Sequence, residues 1–142
     1  RVAIDGSVVR AQEHGIHFSP AEEELKGGIE ALLQQATPAA MPDASALAQR
    51  LRADEKGVTA LLNALQSLGT VIALEGGLVA HRSMVDSVRE DLRGHLRAHG
   101  DVTVAAFRDL IGSNRKCAMA FLNLFDREGT TERHGDTRVL RR

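Results

Sequence analysis

The chain has 142 residues, 43% of them hydrophobic, and a net charge of −1. This is the size of one ordinary domain or two small ones, with globular composition and no apolar run long enough to span a membrane. A single cysteine, Cys117, excludes an internal disulfide and fits a reducing, cytosolic compartment. The only aromatics are four Phe, which excludes an aromatic platform for stacking bases.

Residues 1–18 read as the hairpin and exit strand that close a preceding module, with β-branched residues around an Asp5-Gly6 turn. Ser19-Pro20-Ala21-Glu22 then opens a helix with a capping box and a proline at its first position. Leu25, Ile29, Leu32, Leu33 and Ala36 follow at helical spacing, and Thr37-Pro38 stops it. Asp43 is expected to cap a second helix with Leu47 and Leu51 on one face. A third runs from about Asp54 to Leu68 and ends at Gly69. TVIALE, a Gly76-Gly77 turn and LVAHR form a hairpin.

The pattern then recurs. Ser83 caps a helix carrying Val85, Val88, Leu92 and Leu96, which ends at His99-Gly100. Thr103 caps a short helix to Ile111, and Ser113 caps a third with Ala118, Phe121, Leu122 and Phe125. Gly129 ends it, and a hairpin turning at Gly135-Asp136 follows. Gly69 and Gly129 are 60 residues apart, and the turns at Gly76 and Gly135 are 59 apart. The predicted fold is mostly α with small β-hairpins (α+β): tandem winged-helix modules at 19–82 and 83–142, each with a helix-turn-helix and a wing.

Charge separates the copies. Residues 19–82 carry five basic and eight acidic side chains, whereas residues 83–142 carry eleven and nine. The first turn of a helix offers free backbone N–H groups and the positive end of the dipole, which suit phosphate. In the second copy that position holds Ser113, Asn114, Arg115 and Lys116; in the first it holds Asp54, Glu55 and Lys56. Nucleic-acid binding is therefore expected of the second copy, and a spacer or docking role of the first. The second wing adds Arg133, His134, Gly135 and Arg138. Strand alternation puts Arg133 and His134 on opposite faces, so only some can meet one partner. The competing view makes the helix-mouth cations solvated surface charge and the wing a polar edge.

Other candidates are weaker. His95 and His99 share a helix spacing but have no third ligand, so no metal site is expected. Cys117 and the pair Phe121 and Phe125 read as core. No carboxylate pair stands out for acid–base work, and no GxxxxGK[ST] phosphate loop occurs. These residues are expected to form a binding module, without catalytic residues or cofactor.

Residues 104–140 close with FRDLIGSNRKCAMAFLNLFDREGTTERHGDTRVL. The RD–G–S–RK run, the FDREG–T–R turn and the GD–RVL ending resemble the C-terminal winged helix of the bacterial selenocysteine-specific elongation factor, SelB. The resemblance is close over the last quarter of the chain and architectural over the rest. It implies binding to the selenocysteine insertion hairpin in mRNA, with contacts on Arg108, Ser113, Arg115, Lys116, Arg133, Gly135 and Arg138. It also implies a GTPase part outside this chain that uses GTP and Mg and carries selenocysteyl-tRNA to the ribosome, acting as a cytoplasmic monomer. Two alternatives come from other classes: a DNA-binding winged-helix regulator, and a module that docks only protein.

Overall fold

A computed structural model describes residues 17–141. The hairpin expected around Asp5-Gly6 lies outside the described residues. The helices are α1 (Pro20–Gln35), α2 (Ala44–Leu51), α3 (Glu55–Leu68), α4 (Arg82–His99), α5 (Val104–Leu110) and α6 (Arg115–Glu128). The strands are β1 (Val71–Ala73), β2 (Val79–His81), β3 (Val102–Thr103), β4 (Thr131–His134) and β5 (Thr137–Leu140). Three helices and a hairpin thus occur twice in succession, a mostly helical α+β fold of tandem winged-helix type.

The helix ends follow from local chemistry. At Ser19 the capping box closes in both directions: Ser19 Oγ accepts from the Glu22 amide, and the Ser19 amide donates to Glu22 Oε1. Asp43 and Thr103 cap α2 and α5 by accepting from Ala46 and Ala106 amides. The helices α3 and α6 end alike. Gly69 and Gly129 sit at φ 83° and 86°, and the amides of Thr70 and Thr130 reach back to the carbonyls of Leu65 and Phe125. This is the Schellman closure, which needs a left-handed residue and so favours glycine.

Two expected caps are corrected. α4 begins at Arg82, and its cap is His81, whose Nδ1 accepts from the Ser83 amide at 3.1 Å. α6 begins at Arg115, and its cap is Asn114, whose Oδ1 accepts from the Cys117 amide at 2.8 Å. Ser83 and Ser113 are each one or two residues from the actual cap. Asp54 occupies the cap position of α3 but makes no side-chain capping bond.

The sheets differ between repeats. β1 and β2 pair alone, joined by a 3-10 turn at Glu75–Gly77, whereas the second sheet has the order β3-β5-β4. In the first repeat a single bond, from the Val79 amide to the Pro42 carbonyl, stands where β3 pairs in the second. Proline has no N–H to extend a ladder there.

One core gathers Ile29, Leu33, Leu47, Val58, Leu61, Leu65 and Val71. The other is built on Leu92, Phe107, Phe121, Leu122 and Phe125. Met41, Leu74, Leu78 and Ala80, from the first repeat, belong to this second core. Full burial of such side chains contributes about 1.5–3 kcal/mol each. Nothing separates the repeats, since β2 ends at His81 and α4 starts at Arg82.

Candidate nucleic-acid interface

α5 and α6 form the helix-turn-helix of the second repeat. Its turn passes through Gly112 at φ 63°, and the Ser113 amide closes it by donating to the Arg108 carbonyl. The equivalent residue of the first repeat, sixty positions earlier, is Arg52 at φ 54°. Left-handed backbone disfavours a side chain there, so the second repeat makes the same turn with less strain.

Arg115 and Lys116 occupy the first two positions of α6 and are exposed. Among the described residues, neither side chain has an ion-pair partner, and neither backbone amide is capped. The amides and the two cations therefore face solvent at the positive end of the helix dipole. At the mouth of α3 the first turn carries Glu55 instead, beside Asp54.

The wing brings a third cation to the same place. A groove lies between α6 and the sheet, lined by Thr103, Val104, Ala105, Arg115, Met119, Arg133, Asp136 and Arg138. Arg115 from the helix and Arg133 from β4 thus converge on one concave surface. Met119 stands one turn after Arg115 and lines the same groove. Sequence reasoning did not single it out, although its spacing of four from Arg115 is the signal for a shared helix face.

The wing is tightly built. β4 and β5 pair with Arg133 opposite Arg138 and His134 opposite Thr137, so Gly135 and Asp136 are the two loop residues. Gly135 takes φ 63°, the positive value a two-residue hairpin turn requires at its first position. Arg133 Nε donates to the Gly135 carbonyl at 3.0 Å, which orients the guanidinium at the tip.

The other residues expected at the site are placed differently. Arg138 is only 2% exposed. Its Nη2 donates to Asp126 Oδ2 at 3.1 Å and to Asn123 Oδ1 at 3.4 Å. Asp126 Oδ1 also accepts from Thr131 Oγ1. Arg138 therefore pins β5 to α6 in the wall of the groove rather than projecting into solvent. His134 lies on the opposite face of the hairpin, paired with Glu132 at 2.6 Å, beside Leu96, Leu140 and Arg141. Arg108, in the last turn of α5, pairs with its neighbour Asp109 at 3.1 Å. Exposed pairs of this kind contribute about 0–1 kcal/mol, so Arg108 can exchange its partner readily.

Ser113 and Asn114 face the first repeat. Ser113 Oγ donates to the Pro38 carbonyl at 2.7 Å, and Asn114 Nδ2 donates to the Ala39 carbonyl at 2.8 Å. One asparagine thus caps α6 with its oxygen and holds the loop between α1 and α2 with its nitrogen.

Residues 94–140, which span the end of α4, the helix-turn-helix and the wing, match the family described as elongation factor SelB, winged helix. The whole fold is similar to the mRNA-binding domain of elongation factor SelB from E. coli, solved in complex with SECIS RNA. That match has a TM-score of 0.77 and 25% identity, and covers 88% of this chain and 100% of that one.

Residues 94–140 are thus similar in sequence to the SelB winged helix, and the chain shares the fold of the SelB mRNA-binding domain. No curated protein matches it. The segment matched by the family lies in the repeat with the cationic helix mouth and does not extend to the repeat with the acidic mouth. No group of three or more metal-ligating side chains occurs among the described residues, and none of their helices is long and apolar enough to cross a membrane.

Proposed function

We propose that the second repeat binds the apical part of a selenocysteine insertion hairpin in mRNA. The observation that carries this is the convergence of Arg115 and Arg133 on one groove beside the open amides of α6. The solved SelB domain of the same fold, bound to SECIS RNA, supports this class of partner. Lys116, next to Arg115 on α6, and Arg108, in the last turn of α5, neutralise backbone phosphates. Hairpin loops splay their bases, and a guanidinium plane such as that of Arg133 stacks on one without an aromatic residue. The first repeat, with its acidic helix mouth, supports the second rather than touching this RNA.

The region is a binding module. It tethers a translation factor whose GTPase part, using GTP and Mg, carries selenocysteyl-tRNA to the ribosome in the cytoplasm. Holding the factor at the hairpin raises its local concentration at the adjacent UGA codon. It does so as a monomer, one chain per hairpin.

Titration of a fluorescent hairpin, with duplex DNA as competitor, tests the proposal. The double variant Arg115→Ala with Lys116→Ala is expected to lose at least a hundredfold in affinity, since charge-assisted contacts contribute about 1.5–3 kcal/mol each. The slope of log affinity against log salt falls by about 0.7–0.9 for each phosphate contact removed. Glu55→Gln leaves affinity within twofold. Equal losses from the two helix mouths, or preference for duplex DNA, would overturn the assignment.

A further inference from the structure

The side chain of Asn123, halfway along α6, bridges two repeats. Its Nδ2 donates to Glu75 Oε1 at 2.8 Å, and its Oδ1 faces Arg138 Nη2 at 3.4 Å. The orientation of the amide is dictated by its neighbours. Turned over, it would set NH2 against a guanidinium and oxygen against a carboxylate. Glu75 belongs to the wing turn of the first repeat, which packs on α6. Arg138 is opposite Arg133 in the second wing. A continuous polar path therefore runs from the first wing through Asn123 to the strand that backs Arg133.

We propose that Glu75 and Asn123 are positioning residues for RNA binding: the first repeat's wing turn holds the Asn123 amide, which orders Arg138 and, across the ladder, the Arg133 guanidinium. The inference rests on the proposed hairpin binding. It assigns the first repeat an active part, as the brace that sets the angle between the helix mouth and the wing tip. The clasp of Ser113 and Asn114 on Pro38 and Ala39 fixes the other end of the same helix.

The sign of one substitution separates positioning from charge. Glu75 is exposed, and removing a carboxylate by itself favours a polyanion. Charge alone predicts that Glu75→Ala binds RNA as well as wild type or better. Positioning predicts the reverse, a loss of about three- to tenfold, the scale of one hydrogen bond. Glu75→Gln keeps an oxygen for Asn123 Nδ2 and is expected to bind at least as well as wild type. All three proteins are titrated with the hairpin well below their melting temperatures, alongside the double variant Arg115→Ala with Lys116→Ala. If the double variant loses binding while Glu75→Ala does not, the brace is refuted and the hairpin site stands. Equal loss in Glu75→Ala and Glu75→Gln also refutes the brace, because the hydrogen bond is then not the cause. If the double variant binds as wild type, the proposed function fails and this inference falls with it.

Discussion

Arg133 and Arg138 face one another across the same ladder, yet one reaches solvent and the other is buried on Asp126. Desolvating a guanidinium is tolerable only while its partner is present. Asp126→Ala is therefore expected to destabilise the fold by about 3 kcal/mol, measured by chemical denaturation, because it strands a buried charge. Asp126→Asn, which keeps an acceptor, costs less. From the sequence, Arg138 is expected at the RNA-facing surface. The counter-charge that reverses this lies twelve residues earlier on another element, where no local pattern records it. Gly129 is the opposite case. Its role at the end of α6 follows from the sequence, and a methyl group there meets no atom within 4 Å. Gly129→Ala is expected to cost about 1 kcal/mol, all of it from the left-handed backbone, visible as a lower denaturation midpoint.

The helices were largely readable because their signals are local. Capping side chains, closing glycines and apolar spacing lie within four residues of the features they cause. The failures have physical reasons too. At Ser113-Asn114 two adjacent residues can both cap, and a contact with Pro38 and Ala39, seventy-five positions away, decides between them. His81 caps through a ring nitrogen, a role outside the usual capping residues. β3 is two residues long, too short to show a period of two. α4 and α6 are also joined by a network that sequence cannot reveal. Arg89 donates to both Glu128 oxygens and to Asp86, and lies over the Phe125 ring. Burial pushes the Glu128 carboxyl up, but hydrogen bonds from Arg89 and Thr130 outweigh it and leave the group below its ordinary value. Its folded value is thus below its unfolded one, so the pairing contributes fully at neutral pH. That contribution erodes as pH falls below about 4.5 and through the folded value. Arg89→Met is expected to flatten this acid limb, measured as denaturation midpoint from pH 7 to 3.

At the scale of the molecule, the element order and the charge contrast between repeats were readable, whereas their union was not. The sharing of Met41, Leu74 and Leu78 with the second core depends on contacts between distant residues. With one repeat's side chains completing the other's interior, unfolding is expected as one transition, with calorimetric and van't Hoff enthalpies equal. Two resolved transitions would show that the repeats melt separately. The shared core also has a consequence in time. A nascent chain is synthesised from its N-terminal end at about 5–20 residues per second. Residues 41, 74 and 78 therefore emerge from the ribosome several seconds before the phenylalanines that cover them. Until α6 is made, the first repeat shows an apolar patch to whatever else is nearby, including neighbouring nascent chains. A chain ending at His81 freezes that moment, and is expected to bind a hydrophobic dye that the complete protein does not.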